Sequence, residues 1–233
     1  MADAPRAALF DAAGTLIELA EPVGETYARV ARAHGVEIPA WRLGEAFRRV
    51  LRAAEPLCFP HLDPEALRAR EREAWHEIVR QTFRAADTAA AARLRDERAC
   101  AETLFDHYAA GAAWRCRPGA AEALAALRAS GWRLAVLSNF DDRLRGILAA
   151  LGLAQRLDAV YLPSDLGSAK PAAEAFHAAL EAMEVPPGRA VFVGDDPDLD
   201  LAAARAAGLV AVDVRPLATL ADLPQRIEEL LPT

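Results

Sequence analysis

Lysine is almost missing from this chain. A single one, Lys170, stands against 26 arginines in 233 residues. Arginine and alanine richness (56 alanines) is what GC-rich coding produces, so the bias itself carries little function. An isolated lysine under that bias marks a position where a compact ammonium cannot be exchanged for a planar fork. Cysteine is nearly as scarce: Cys58, Cys100 and Cys116 are odd in number and lack C-x-x-C spacing. They read as reduced packing thiols of a cytoplasmic protein rather than a disulfide framework. No apolar run approaches the roughly 20 residues of a membrane span. The first residues, MADAPRAALFD, have no basic stretch leading into a long apolar one, so no secretory signal is expected. A basic excess is also absent. The formal net charge is -7, which argues against bulk binding to nucleic acid or to an anionic membrane. His34, His61, His76, His107 and His177 show no metal-ligand spacing such as H-E-x-x-H and read as surface or packing residues.

What is present is core material: 53% of the residues are apolar. At roughly 100–200 residues per domain, the length allows one large domain or a core with a smaller insert. Residues 7–10 form a short apolar run that stops at Asp11 and Gly14, the pattern of a buried strand. From about Pro22 to Trp114 helix formers dominate, and the spacing predicts helices over 23–34, 39–55, 63–86 and 89–110, broken by Gly35, Pro56, Pro60 and Pro64. After Arg117-Pro118-Gly119 the pattern alternates. Helices are predicted over 118–130, 141–151, 171–184, 198–207 and 219–231. Strands are predicted over 132–137, 158–162, 189–193 and 209–214. Such repeats imply a parallel, Rossmann-like α/β sheet covered on both faces. The helical stretch 19–113 is then an insertion after the first strand, and residues 1–18 with 114–233 make the α/β core. The insert carries 14 Arg against 15 acids, the remainder 13 cations against 19 acids, so the acidic half is the α/β half.

In open α/β sheets ligands bind beyond the carboxyl ends of the strands. Strand one ends at Asp11, the 132–137 strand at Ser138-Asn139, and the 189–193 strand at Gly194 followed by Asp195-Asp196-Pro197-Asp198-Leu199-Asp200. The loop SDLGSAKP after the 158–162 strand carries Lys170. A carboxylate, a hydroxyl, an ammonium and an acid cluster thus converge on one rim. Clustered carboxylates repel unless a cation or lysine compensates them. Hard oxygen ligands select Mg²⁺, and metal, lysine and hydroxyl together cradle a phosphoryl group that a carboxylate can attack. Helix capping alone would explain one or two of the four acids, not all of them.

LFDAAGTL, LSNFD, SAKP and VGDDPDLDLAAARAAG, in that order and spacing, resemble the four motifs of the haloacid dehalogenase superfamily. The likeness covers essentially the whole chain, and 19–113 resembles that family's helical cap. EPVGETYARVARAHGVE and LAVLSNFDDRLRGIL further resemble its haloacid dehalogenase-like hydrolase domain-containing protein 3 subgroup. The resemblance implies that Asp11 is the nucleophile. It implies that Thr15 and Ser138, with backbone amides around Gly14 and Asn139, hold the oxygens of the transferring group, and that Lys170 neutralises charge between nucleophile and substrate. Asp195 would bind Mg²⁺ with Asp11 and the backbone carbonyl of Ala13. Asp200 would orient Lys170 or metal-bound water, with Asp196 the alternative in either acidic role. The partner implied is a small phosphorylated metabolite, with the protein a monomer or homodimer. A cap closing over the rim, hinged near residues 19–22 and 113–118, would exclude water during the reaction.

The departure from the family pattern is Ala13, where the phosphatases usually carry a second Asp that serves as general acid and base. General acid–base catalysis is worth about 10²–10⁴ in rate. Four readings remain open. A dehalogenase needs no acid, but an Asp-rich fourth motif makes little sense without a cation. A phosphonate-cleaving enzyme uses Ala here but needs a cap lysine, and residues 19–113 contain none. A metal-dependent phosphatase would take its proton elsewhere, with Glu18, Glu21 and Glu25 as stand-ins, or act on a substrate with a good leaving group. A fold-retaining binding protein would leave Asp11, Lys170 and the acids as unused buried charge, which is costly.

Overall fold

The computed structural model describes residues 5–231. Its framework is a five-stranded parallel sheet in the order β5-β4-β1-β6-β7, made of β1 (Ala7–Phe10), β4 (Arg133–Leu137), β5 (Ala159–Tyr161), β6 (Ala190–Gly194) and β7 (Val210–Asp213). A separate two-stranded ribbon pairs β2 (Ile17–Leu19) with β3 (Trp114–Cys116). The central strand β1 is Ala-Ala-Leu-Phe with every residue buried. A strand covered on both faces needs no polar alternation. It pairs in register with β4 (Leu9 opposite Ala135) and with β6 (Leu9 opposite Phe192). Since β4 leads outward to β5 on one side and β6 to β7 on the other, the strand order reverses at β1. That places the topological switch point, where such sheets bind ligands, at its carboxyl end.

The chain divides into two compact units. Among the described residues one comprises 5–18, Cys58–His61 and 115–231, and the other 19–57 and 62–114. The sheet unit carries α6 (Ala120–Ala129), α7 (Arg143–Ala150), α8 (Pro163–Leu166), α9 (Ala173–Ala182), α10 (Ala203–Ala206) and α11 (Leu223–Leu230). Its core includes Leu9, Leu137, Phe176, Leu180 and Phe192, with the rings of Phe176 and Phe192 edge to face at 5.2 Å. The short stretch Cys58–His61 is held here by local bonds. The Cys58 thiol donates to the Pro163 carbonyl at 3.3 Å, and the Phe59 amide donates to the Ser164 hydroxyl at 3.0 Å.

The second unit is helical: α1 (Val23–Ala33), α2 (Ala40–Ala53), α3 (Pro64–Ala86), α4 (Thr88–Ala91) and α5 (Glu97–Ala109). Tyr27, Leu43, Val79, Phe83 and Leu104 form its core, with the Tyr27 ring 5.6 Å from both Phe47 and Phe83. The single helix expected over 89–110 is two helices. The first ends at Ala91, and Asp96 caps the second, its carboxylate accepting from the Ala99 amide at 2.9 Å; an N-cap fixes a helix start even inside a run of good helix formers. The stretch after Leu162, expected as loop, begins with the short helix α8. No helix of the described residues is long and apolar enough to cross a membrane.

Candidate active site

Asp11 follows β1 directly, its amide donating to the Val193 carbonyl of β6 at 2.9 Å. The tight turn behind it, Ala12-Ala13-Gly14-Thr15, closes on the Ala12 carbonyl, which accepts from the amides of Thr15, Leu16 and Ile17. Gly14 adopts φ +90°, and a Cβ there would lie 2.5 Å from the Asp195 Oδ2. Only glycine allows both that backbone and that approach.

Lys170 bridges the site. It is 3% exposed, and its Nζ donates to Asp11 Oδ1 at 2.8 Å and to Asp200 Oδ1 at 2.6 Å. Burial draws the ammonium down, but Asp11 and Asp200 outweigh it and hold its pKa above the usual lysine value. The Asn139 side chain fixes the lysine's backbone from both sides: Nδ2 donates to the Lys170 carbonyl at 2.7 Å, and Oδ1 accepts from the Lys170 amide at 2.9 Å. Asp200 is equally constrained. Its second oxygen accepts from the amides of Asp195 and Asp196, each at 3.1 Å. The helix carrying it starts with one wide turn, the Leu201 amide donating back to the Asp196 carbonyl at 3.1 Å. Such i→i+5 turns are rare and concentrate at functional sites. A Cβ at Gly194 would fall 2.4 Å from Asp200 Oδ2, so glycine at the end of β6 is what admits this carboxylate.

Asp11, Asp195 and Asp200 each present an oxygen within 4.8 Å of the others. Burial, followed by the charge of Asp11, pushes the Asp195 carboxyl above the usual aspartate range, an effect the Thr15 hydroxyl partly offsets. Among the described residues Lys170 is the one ammonium bonded within the cluster, to Asp11 and Asp200, so three carboxylates leave two negative charges uncompensated. At such separations each pair repels by about 3 kcal/mol at an effective dielectric constant near 20. An all-oxygen donor set with an excess of two negative charges suits a hard divalent cation. Asp11 and Asp195 are the available ligands, because both oxygens of Asp200 are already engaged.

Several motif residues are held by bonds within the protein itself. Thr15 is fully buried and its hydroxyl donates to Asp195 Oδ1 at 3.0 Å, so it orients an acid instead of presenting a hydroxyl outward. The Gly14 amide donates to the Ile17 carbonyl at 2.8 Å and is committed to the turn. The Asp196 carboxylate caps the following helix, accepting from the amides of Asp198 and Leu199 at 2.9 and 2.8 Å, while its amide helps to hold Asp200. Ser138 lies buried past β4, its amide donating to the Tyr161 carbonyl at 3.2 Å. Ala13 is exposed in the turn beside Asp11. Of the possible stand-in acids, Glu18 accepts from Arg115 at 2.8 Å. Glu21 is held below the usual glutamate range by its bond from Thr26 and by Arg29, the opposite of what a proton donor needs.

Two further residues support the site, of which Arg117 had no role in the sequence reading and Asp141 lay within the LSNFD motif. Arg117 donates to the Gly14 carbonyl at 3.0 Å and to those of Val214 and Leu217 at 3.1 and 2.9 Å, pinning the turn that carries Asp11. Buried Asp141 holds the amide and guanidinium of Arg143 just past Ser138-Asn139. Arg117 has no local sequence signature, since its three acceptors lie far from it along the chain, whereas Asp141 closes the LSNFD motif and acts on a residue two positions on.

A parallel sheet with a buried Asp-Lys-Asp bridge at its switch point defines a hydrolase of the haloacid dehalogenase type. The haloacid dehalogenase-like hydrolase family pattern matches residues 5–208, and the chain belongs to that family. Among curated proteins, the human haloacid dehalogenase-like hydrolase domain-containing protein 3 is 37% identical over 204 residues, covering 86% of this chain and 78% of that protein. Among solved structures, one described as a dehalogenase aligns over 100% of both chains with 25% identity and a TM-score of 0.67. A phosphatase of the family from Thermococcus onnurineus aligns over 95% of this chain and 97% of its own with 20% identity and a TM-score of 0.57, a likeness of fold.

Proposed function

We propose that the chain is a Mg²⁺-dependent phosphatase of small phosphorylated metabolites, working through an aspartyl-phosphate on Asp11. The observation that carries this reading is the cluster of three carboxylates, two of them bonded to one lysine, with two negative charges left for a divalent cation. A dehalogenase has no use for that excess. The ion would be held by Asp11 and Asp195, with the Ala13 carbonyl as the further donor the family pattern implies, and would screen the negative charge of an approaching phosphate.

Lys170 engages one lone pair of Asp11 Oδ1, whose second lone pair would face the ion, which leaves the other oxygen to attack phosphorus. The Asp11 O–P bond forms as the P–O bond to the leaving group breaks, and the departing oxygen takes its proton from solvent. Water then cleaves the acyl phosphate and returns Asp11 as a carboxylate. Lys170 stays charged throughout and offsets the charge that builds on the transferring oxygens. Ser138 and the backbone around Asn139 are the remaining contacts for those oxygens.

Ala13 supplies no proton, so the reading favours substrates whose leaving oxygen is already acidic, such as aryl, enol or acyl phosphates, over simple alkyl esters. The 19–113 helical unit is proposed as the cap that shields this chemistry from water. A panel of phosphate monoesters, assayed with Mg²⁺ and with chelator beside 2-chloropropionate, tests the reading. Mg²⁺-dependent phosphate release, fastest for acidic leaving groups, supports it. Chelator-insensitive chloride release would replace it with the dehalogenase alternative.

A further inference from the structure

Helix α2 leaves one face exposed, where among the described residues the Arg42 guanidinium, 6.0 Å from the Trp41 ring, makes a cation–π contact. Leu43, Ala46 and Val50 are buried along one side. Trp41, Glu45, Arg48 and Arg52 follow at spacings of four, three and four, which at 3.6 residues per turn gathers them into one stripe on the opposite side. Trp41 is 66% exposed, among the most exposed large apolar side chains of the described residues. Glu45, Arg48 and Arg52 are exposed, and among the described residues none of them forms an ion pair. Their neighbours are engaged: Arg42 reaches Asp87 at 3.4 Å and Arg49 donates to the Ala85 carbonyl at 3.2 Å.

The order of the stripe is self-complementary. Positions 41 and 52, and positions 45 and 48, are equidistant from the same midpoint between 46 and 47. Two such helices laid antiparallel about a two-fold axis therefore bring Trp41 against the partner's Arg52 and Glu45 against the partner's Arg48, each contact occurring twice. The first is a cation–π pair and the second an ion pair, and the four central charges alternate in sign around the axis. An acidic partner or a polyanion would meet Glu45 in the middle of the stripe, whereas a second copy answers it with arginine. We propose that this face of α2 is an isologous interface between two copies of the chain in solution.

One helix of 14 residues, about 21 Å long, buries less than the roughly 1,200–2,000 Å² of a stable specific interface. The dimer is therefore weak, concentration-dependent and sensitive to salt. Sedimentation velocity of the full chain, from micromolar to near-millimolar concentration in low and high salt, tests it, with circular dichroism confirming that each variant is folded. Wild type should dimerise in low salt. E45R and R48E should each weaken the dimer roughly tenfold or more, because each makes the central charges alike. An equimolar mixture of E45R and R48E, and the double variant E45R/R48E, should both recover it, and W41A should loosen it without changing its salt dependence. A wild type that stays monomeric throughout, a dimer indifferent to both single variants, or a mixture that fails to recover would each overturn the proposal. Retention of monomeric wild type on heparin, lost in R48E, would overturn it in favour of a polyanionic partner.

Discussion

Lys170→Arg keeps the charge and changes only its shape, which makes it an informative perturbation of the site. Arginine is two heavy atoms larger beyond Cδ. The pocket offers no slack: Lys170 is 3% exposed, lies 5.0 Å above the Phe192 ring, and its backbone is clamped at amide and carbonyl by Asn139. Overpacking a site of this kind costs about 1–3 kcal/mol. For a chain of this length each kcal/mol lowers Tm by roughly 2–4 °C, so a fall of about 2–12 °C is expected. A planar fork cannot reach Asp11 Oδ1 at 2.8 Å and Asp200 Oδ1 at 2.6 Å in the geometry a point charge uses. Losing an oriented charge at the reacting group typically costs about 10²–10³ in kcat. Steady-state hydrolysis of p-nitrophenyl phosphate with saturating Mg²⁺, paired with a thermal melt, reads both effects. Rates within twofold of wild type together with an unshifted melt would refute the reasoning, because they would show that the pocket accommodates a fork.

Other perturbations follow from the same geometry. Asn139→Ala removes both clamps on the Lys170 backbone and should cost about 2 kcal/mol at roughly 1 kcal/mol per bond, lowering kcat more than it changes KM; urea unfolding and steady-state kinetics check the two effects. Gly194→Ala puts a methyl 2.4 Å from Asp200 Oδ2, so Asp200 must move and release Lys170, with a stability loss of about 1–3 kcal/mol in the melt. Burial pushes the Cys100 thiol from 9.0 up to about 12. Between those values the folded chain binds the proton that the unfolded chain has released, so stability falls as pH rises from about 9 toward about 12 and is unaffected below. Thiol labelling should accordingly leave Cys100 untouched at pH 8 until denaturant is added, as liquid chromatography and mass spectrometry of the labelled peptides will show.

The sheet could be read from the sequence because its strands are buried on both faces. Ala7–Phe10 and Ala190–Gly194 are continuous apolar runs, each ending where chemistry begins, at Asp11 and at Asp195. Lys170 was conspicuous through its rarity alone. The division of labour among the acids was not visible, because Asp195, Asp196, Asp198 and Asp200 look alike in one dimension. The wide turn at Leu201 and the missing side chain of Gly194 bring Asp200 under Lys170, while the Asp196 carboxylate caps the helix. The bond from the Thr15 hydroxyl to Asp195 at 3.0 Å was hidden for a similar reason, since it joins residues 180 positions apart. The break before Asp96 was hidden among alanines and arginines, which favour helix on either side of it. The attachment of Cys58–His61 to the sheet unit depends on Pro163 and Ser164, more than a hundred positions away.

The central claim is that the site is complete except for the proton donor that Ala13 cannot supply. Restoring that donor tests it most directly. Phosphate release from p-nitrophenyl phosphate and from an alkyl phosphate should be compared for wild type, Ala13→Asp and Asp11→Asn, with and without Mg²⁺. Wild type should turn over the aryl ester only with Mg²⁺, and Asp11→Asn should be silent. Ala13→Asp should accelerate the alkyl ester by up to about 10²–10⁴, the worth of a general acid. Equal rates from wild type and Asp11→Asn, or silence from both wild type and Ala13→Asp, would contradict the account.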